Sequence, residues 1–139
     1  MKSSDIVYTD SIADIDWHTL TTRLREDDFD NGRTPVQLRE SFANSYAVCF
    51  ALCDGAVIGK GRVLSDGVCN AYLVDLWTHT PLRHRGIARE IVRRLSEKLQ
   101  GQHIYLQADA DVADFYRKLG FVDQPQGLSR VVGKWLTPR

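Results

Sequence analysis

The spacing of apolar residues changes period several times along the chain, and each change predicts a change of secondary structure. Between Gly86 and Gly101 the apolar residues share one helical face and the charged residues share the other, as in a helix that lies on a core. Similar spacing predicts further helices over residues 17–27, 35–45 and 112–119. Alternating or continuous apolar runs predict strands over residues 6–9, 46–53, 56–65, 70–78, 103–108 and 128–136.

Capping and turn residues mark the ends of several of these elements. Asp16 and Thr34 each precede a helical pattern and are typical N-cap residues. The Asp-Gly pair at residues 54–55 separates two apolar runs and predicts a tight hairpin. Asp109 or Asp111 is expected to cap the short helix that follows them.

The order of the predicted elements is β, α, α, β, β, β, α, β, α, β, which indicates a mixed α/β sheet. Residues 70–78 are apolar on both faces except at Asp75 and Thr78, which suits a central strand covered on both sides. A right-handed crossover through the long helix would make this strand parallel to residues 103–108. The length predicts a single domain, residues 1–139.

Charge, N-terminal composition and cysteine count narrow the setting and the partners. The 18 basic and 18 acidic residues cancel, so no nucleic-acid or membrane partner is expected and anion binding must come from local clusters. The N-terminus lacks the apolar region of a signal peptide, and no run approaches the length of a membrane span. Three cysteines without a CxxC pair fit the reducing cytoplasm, and we expect Cys49 and Cys53 to be buried and inert.

The segment PLRHRGIARE, residues 81–90, places three arginines around Gly86 and Ala88 at the start of the long helix. The leading amides of a helix have no internal acceptor and lie at the positive end of its dipole. Small side chains there let an anion approach the backbone, and the arginines add charge. The pattern predicts a phosphate cradle, with a solvated basic helix start as the alternative. The GK[ST] ending and the Rossmann spacing are missing, which disfavours NTP-dependent phosphoryl transfer.

Two motifs together resemble those of one enzyme family. WTHTPLRHRGIA, residues 77–88, follows the predicted central strand, and FYRKLGF, residues 115–121, ends the chain's short helix. In this order and spacing they are similar to the signature of the GNAT superfamily of acetyl-CoA-dependent N-acetyltransferases, most of all its small arylalkylamine (serotonin) N-acetyltransferase-like members. The resemblance implies a mostly antiparallel mixed sheet, with a splayed parallel central strand pair and flanking helices.

The resemblance also implies where acetyl-CoA would bind. The coenzyme pyrophosphate would lie on the amides of the arginine turn, and the pantetheine arm would pair with the exposed edge of the central strand. In the position of Asp109 the family often has asparagine, so this chain departs from the pattern there. The implied coenzyme residues are Leu76, Trp77, Thr78, Arg83, His84, Arg85, Gly86, Ile87, Ala88, Arg89, Asp109 and Phe115.

Acetyl transfer to an amine needs an acid, a base and a donor for the oxyanion. Tyr116 matches the family's usual acid, with a packed aromatic as the alternative. Asp75 is the candidate base, because burial in an apolar strand should raise its pKa; a structural aspartate is the alternative. His79 is a second candidate base, and an amide near Thr78 is the candidate oxyanion donor. The histidines show no metal-ligand spacing, so no metal is assigned.

The acceptor is the least specified part of the prediction. Tyr46 and Trp77 are candidates to line an aromatic pocket with Asp75 at its end, which would favour a cationic arylalkylamine or a similar small primary amine. Both aromatics also suit a core. A protein lysine or N-terminal amine, and a coenzyme-binding module without catalysis, are the alternative functions. Nucleic-acid binding by the basic helix is disfavoured by its interspersed glutamates, and a homodimer through residues 128–136 is plausible.

Overall fold

In the computed structural model, which describes residues 5–133, the segment up to Leu106 and the segment from Gln107 onward form two compact units. In chain order the strands are β1 (Ile6–Thr9), β2 (Ala47–Cys53), β3 (Ala56–Ser65), β4 (Asn70–Thr78) and β5 (His103–Tyr105). The helices are α1 (Trp17–Glu26), α2 (Pro35–Ala43), α3 (Ile87–Glu97) and α4 (Ala113–Lys118). A short 3-10 helix, Thr80–Leu82, connects β4 to α3.

The five strands form one mixed sheet in sequence order. The pairs from β1 to β4 are antiparallel, and β4 pairs with β5 in parallel. The predicted parallel pairing is thereby confirmed, although the predicted strand 103–108 ends at Tyr105. The parallel pair covers only Asn70–Tyr72 of β4, so β4 continues alone toward Thr78 on that side within the first unit. The mostly antiparallel sheet with one parallel pair agrees with the family resemblance, and β4 lacks a β5 partner beyond Tyr72 because β5 ends at Tyr105.

The predicted caps and the hairpin form for the expected reasons. The Asp16 carboxylate accepts a hydrogen bond from the Thr19 amide at 3.0 Å, and Thr34 closes a capping box with Gln37. Asp54 and Gly55 both have positive φ, 51° and 79°, which a two-residue hairpin of this twist requires.

The core fills both faces of the sheet. One face packs against α1 and α2, where the rings of Phe42 and Phe50 lie 5.1 Å apart. The other face packs against α3 through its apolar stripe, Ile87, Ile91, Val92 and Leu95. The opposite face of α3 is salt-bridged as predicted: Arg93 and Arg94 both contact Glu90, and Arg93 also contacts Glu97.

Two predictions near the C-terminus are corrected. The last helix is capped at Val112 without a side-chain hydrogen bond, so neither Asp109 nor Asp111 is its N-cap. The part of the predicted strand 128–136 that the structure describes, residues 128–133, forms no strand, and residues 134–136 lie outside the described residues. Dimerisation through this segment and a single domain for the whole chain stay predictions. No helix within residues 5–133 is long and apolar enough to cross a membrane.

Candidate active site

The connection from β4 to α3 has the backbone of an anion cradle. His84 and Gly86 both have positive φ, 67° and 80°, and Gly86 is the N-cap of α3. Gly86 has no side chain that could cap α3, and no side-chain cap hydrogen bond forms at this helix start among residues 5–133. A Cβ on Gly86 would meet nothing within 4 Å, so the space beside this residue is open among the described residues. Successive amides in such a turn are suited to an oxyanion such as a phosphate.

Two glycines on β3 set the position of this helix start. A Cβ on Gly59 would lie 2.9 Å from Ile87 Cγ2 and 3.3 Å from the carbonyl oxygen of Trp77. A Cβ on Gly61 would lie 3.0 Å from Ile91 Cγ2. Because neither residue has a side chain, α3 can lie directly on β3, and its first turn lies beside the end of β4.

The predicted cradle residues divide into exposed and buried groups. The Arg83 Nε atom donates to the Thr78 carbonyl oxygen at 3.3 Å, so one arginine ties the turn to the strand end. Ile87 is buried, so it can contribute only its backbone, and Ala88 is half-buried. The exposed members of the group are Arg83, His84, Arg85, Gly86 and Arg89.

The free part of the β4 edge lies next to the cradle. Beyond Tyr72, the last residue of β4 paired with β5, the strand runs on through Leu76 and Trp77 to Thr78. An unpaired strand edge offers alternating N–H and C=O groups to an extended ligand. The pantetheine arm of a coenzyme A molecule is such a ligand, since it carries amide groups. The cradle and this edge together therefore fit acetyl-CoA.

A bulge in β4 carries the candidate base, Asp75. Lys60 pairs with Trp77 and Arg62 with Val74, so Asp75 and Leu76 both lie opposite Gly61. Asp75 has a φ of 62°, which is uncommon for a residue other than glycine. The bulge turns the Asp75 carboxylate into the sheet face that packs on α1 and α2.

Three cations surround this carboxylate. Arg33 binds both of its oxygens, at 2.8 and 3.0 Å, and Arg62 Nε binds Oδ2 at 2.5 Å. Lys60 Nζ lies 3.4 Å from Oδ1 and donates to the Asp75 carbonyl oxygen at 2.9 Å. Burial alone would raise the pKa of Asp75, but the Lys60, Arg33 and Arg62 charges together hold it well below its usual range. The expected rise of the Asp75 pKa is therefore wrong, and a carboxylate held in this way is a poor proton acceptor.

Asp27, at the C-terminus of α1, forms hydrogen bonds with the end of β4 and with the turn after it. Its Oδ2 atom accepts from the Trp77 indole at 2.9 Å and from the Thr80 amide at 3.2 Å. His79 Nδ1 lies 3.8 Å from the same oxygen and is buried without a hydrogen bond among the described residues. Burial raises the pKa of Asp27, but the bonds from Trp77 and Thr80 outweigh it and lower the pKa overall.

The predicted aromatic pocket does not form. The Trp77 side chain is buried in the core, with 2% of its surface exposed, and its indole is bound to Asp27. Tyr46 lies at the other end of the sheet, where a Cβ on Gly67 would come within 3.0 Å of its ring. The two residues therefore do not line a common pocket, and the core alternative holds for Trp77.

Sequence reasoning missed four charged residues of this region: Asp27, Arg33, Lys60 and Arg62. Lys60 stands in an apolar strand, and an isolated lysine there is a signal that a partner must exist. The identity of that partner had no local signal. Among residues 5–133, no group of three His, Cys, Asp or Glu side chains is placed to hold a metal ion.

The second unit contains the candidate acid. The Tyr116 ring makes edge contacts with Phe115 at 5.1 Å and Phe121 at 5.8 Å, and its carbonyl oxygen accepts from the Phe121 amide. Burial raises the pKa of the Tyr116 phenol, so the phenol is protonated at neutral pH and can donate. Asp109 is exposed, and its carbonyl oxygen accepts from the Val112 amide.

Known proteins match the chain over most of its length. Residues 9–121 match the sequence model of the Acetyltransferase (GNAT) family. An uncharacterised N-acetyltransferase of Pyropia yezoensis is 33% identical over 86 residues, 60% of this chain and 48% of that protein. The chloroplastic serotonin N-acetyltransferase 2 of Oryza sativa subsp. japonica is 32% identical over 77 residues, 53% of this chain and 38% of that protein. The matched region spans less than half of the length of either relative.

Solved structures agree with the fold. An acetyltransferase candidate from Deinococcus radiodurans R1 has a TM-score of 0.79 and 25% identity, covering 97% of this chain and 93% of that one. A predicted acetyltransferase from Clostridium acetobutylicum, solved with acetyl-CoA, has a TM-score of 0.69 and 20% identity, covering 91% and 96%. Because the family match extends from residue 9 to residue 121 and the sheet has the fold of these neighbours, the chain belongs to the acetyltransferase (GNAT) family.

Proposed function

We propose that the protein transfers the acetyl group of acetyl-CoA to the primary amine of a small molecule. The observation that carries this proposal is the uncapped, glycine-led start of α3 immediately after a strand edge that is free of β5. The amides that follow Gly86, with Arg83 and Arg89 beside them, would hold the pyrophosphate. The β4 edge from Leu76 to Thr78 would pair with the pantetheine arm and bring the thioester to the strand end.

In the proposed reaction the amine nitrogen forms a bond to the thioester carbonyl carbon, and the carbon–sulfur bond then breaks. An amide at the end of β4, near Thr78, is the proposed donor to the oxyanion. Tyr116 is the proposed acid that protonates the departing thiolate, which its protonated phenol suits. The attacking amine must also lose a proton. Asp75 does not suit that step, and His79 at the strand end is the remaining protein candidate.

The charge network around Asp75 changes which class of acceptor is expected. A cationic arylalkylamine was expected because Asp75 would meet its ammonium group, but Asp75 is fully occupied by protein cations. A relative named serotonin N-acetyltransferase still makes arylalkylamines a sensible first class to test. The alternatives are a protein lysine or N-terminal amine, and a coenzyme-binding module without catalysis.

The test is detection of acetylated products by mass spectrometry, with acetyl-CoA and a panel of arylalkylamines, amino acids, polyamines and a lysine peptide. Coenzyme binding is measured in parallel by titration calorimetry on the wild-type protein and on Arg89→Gln. Arg25→Gln, which removes an exposed arginine from α1, is the matched control. We expect a small-molecule product, and weaker coenzyme binding in Arg89→Gln alone. Acetylation of the peptide only would favour a protein acceptor, whereas coenzyme binding without any product would favour the non-catalytic module.

A further inference from the structure

Arg33, Lys60, Arg62 and Asp75 form a basic cluster that is nearly sealed inside the first unit. Three cationic side chains share one carboxylate, which leaves a net charge of +2. Lys60 is fully buried, and 3% of the Asp75 side chain is exposed. Charges out of water are normally paired one to one, because an uncompensated buried charge is expensive. An excess of two positive charges at one buried point is therefore unusual for a purely structural network.

Among residues 5–133, none of the three cations has a second carboxylate within 4.0 Å. Lys60 Nζ lies over the rings of Phe29 and Phe42, at 5.2 and 5.5 Å, and the Arg62 guanidinium lies 5.8 Å from the Phe42 ring. These cation–π contacts stabilise the cations, but a neutral ring does not offset their net charge. Two acidic residues of the loop and helix end that carry Arg33 have other partners. Asp30 gives Arg33 only its carbonyl oxygen, while its carboxylate lies 3.7 Å from Arg25, and Asp27 is bound to Trp77 and Thr80.

Among the described residues, both guanidinium groups keep N–H donors that have no protein acceptor. A guanidinium has five N–H donors. Arg33 uses one on the Asp30 carbonyl and two on Asp75. Arg62 uses Nε on Asp75, while its Nη1 contacts Ser41 and Ser45 only at the long distances of 3.5 and 3.4 Å. The two arginines are also the members that reach solvent, with 15% and 13% of their side chains exposed.

The cluster is close to the reaction centre along the strand. Asp75 lies three residues before Thr78, where the thioester end of the coenzyme is proposed to lie, and Arg33 comes from the loop between α1 and α2. Two arginines that share one carboxylate and reach solvent are of the residue type that binds carboxylates and phosphates through paired N–H groups. A small molecule with an amine at one end and an acidic group at the other could place its acidic group on the two arginines and its amine near Thr78.

We infer that the acceptor is an amine that also carries an acidic group, a carboxylate or a phosphate, and that Arg33 and Arg62 bind this group. The inference rests on the proposed acetyltransferase function and narrows its substrate class. The acceptor's anion offsets the excess charge of the cluster and orients the amine toward the end of β4. A neutral-tailed amine of the same shape leaves the charge uncompensated and binds less well.

The experiment uses pairs of amines that differ only in the acidic group: tryptophan with tryptamine, and O-phosphoethanolamine with ethanolamine. For each pair we expect kcat/KM to favour the acidic member by about tenfold or more, since a charge-assisted hydrogen bond is lost in the other. The pair with the larger ratio identifies carboxylate or phosphate as the bound group. Equal use of both members, or preference for the neutral one in both pairs, overturns the inference and leaves acetyl transfer standing.

The variant Arg33→Gln tests the role of the arginine, and Arg25→Gln again serves as the matched loss of one positive charge. A binding role predicts that Arg33→Gln lowers the ratio between acidic and neutral members toward one, while Arg25→Gln preserves it. If Arg33 had a merely structural role, Arg33→Gln would lower kcat/KM for the acidic and the neutral member by the same factor, and this result would contradict the inference. If no amine is acetylated, calorimetric titration of tryptophan and tryptamine into the coenzyme-bound protein provides the same comparison without turnover. Tighter binding of tryptophan, lost in Arg33→Gln, supports the inference, and equal binding overturns it.

Discussion

The Trp77 indole nitrogen donates a hydrogen bond to Asp27 Oδ2 over 2.9 Å, and this bond joins the end of α1 to the end of β4. The same oxygen accepts from the Thr80 amide, so one carboxylate joins the end of α1 to the first residue of the 3-10 helix that leads to α3. A mostly buried carboxylate with these partners ties the core directly to the cradle.

The first prediction concerns this joint. Asp27→Ala leaves the buried Trp77 donor and the Thr80 amide without their acceptor, and should lower the free energy of unfolding by about 1–3 kcal/mol. In a double-mutant cycle, the variant that carries both Trp77→Phe and Asp27→Ala should lose less stability than the sum of the two single variants, because both substitutions remove the same bond. Urea denaturation of the four proteins measures the coupling. Additive losses would mean that the contact contributes nothing to stability.

The pH dependence of the same joint has a defined sign. The folded pKa of Asp27 is lowered below its unfolded value, so its stabilising contribution is present above that unfolded value, near pH 4, and is lost as the pH falls further. The free energies of unfolding of the wild-type protein and Asp27→Asn, measured by denaturation at each pH, should therefore approach each other as the pH falls below about 4. Curves that stay parallel down to pH 3 would contradict this.

A second prediction contrasts Gly86, which opens the proposed cradle, with Gly59, which lets α3 pack closely on β3. Gly86→Ala meets no atom within 4 Å, so its cost to stability is only the positive φ, about 1 kcal/mol, but it adds a side chain at the residue that opens the proposed cradle. It should weaken coenzyme A binding by roughly tenfold, the value of one charge-assisted bond. Gly59→Ala would force Ile87 aside at 2.9 Å and should cost about 1–3 kcal/mol of stability.

Thermal unfolding and calorimetric titration with coenzyme A measure both quantities on the two variants. Normal binding by a folded Gly86→Ala protein would place the pyrophosphate elsewhere. A Gly59→Ala protein as stable as wild type would show that α3 can shift without cost.

Local sequence signals predicted most of this fold, whereas the charge network could not be read from them. Asp16, Thr34 and the Asp-Gly hairpin act on residues two to four positions away, and each forms as expected. Arg33 and Asp75 are 42 positions apart and meet only because the sheet brings the loop and the bulge together. Periodicity places Asp75 in a strand, but it does not show which cations arrive there, so the sign of its pKa shift was predicted wrongly.

A third prediction follows from that network. Asp75→Asn leaves Arg33, Lys60 and Arg62 without a counter-charge, and should destabilise the protein by about 3–5 kcal/mol. Since Asp75 is not expected to act as the base, the folded fraction of this variant should keep the wild-type limbs of its pH–rate profile. Loss of the acid-side limb, where a catalytic base titrates, would restore Asp75 as the base.

A fourth prediction uses the buried lysine of the same cluster. Burial lowers the pKa of Lys60 to about 8 from an ordinary value of 10.5. Between these two values the unfolded chain binds more protons than the folded one, so this residue makes stability rise with pH across that range. Cys49 acts in the opposite direction, because burial raises its pKa to about 11. Because both proteins contain Cys49, its contribution cancels in the difference between the free energies of unfolding of wild type and Lys60→Met.

Denaturation of the two proteins from pH 7.5 to 10.5 should therefore show wild type gaining stability relative to Lys60→Met. The slope should not exceed about 1.4 kcal/mol per pH unit, the limit for one proton. A difference that does not change with pH would mean that Lys60 titrates at its ordinary value.

The last prediction tests the proposed acid. Tyr116→Phe removes the phenol oxygen and keeps the ring that packs on Phe115 and Phe121, so folding and coenzyme binding should change little. Without a donor for the departing thiolate, kcat should fall by roughly a hundredfold or more. Burial raises the pKa of Tyr116 above its ordinary value of 10.0, so loss of this proton should not limit the wild-type rate at pH 9 or below. Phe121→Leu is the control for packing, since it alters an aromatic contact of Tyr116 without removing a donor. Unchanged turnover in Tyr116→Phe, or an equal loss in Phe121→Leu, would show that the phenol donates no proton and that the aromatic contact alone explains the residue.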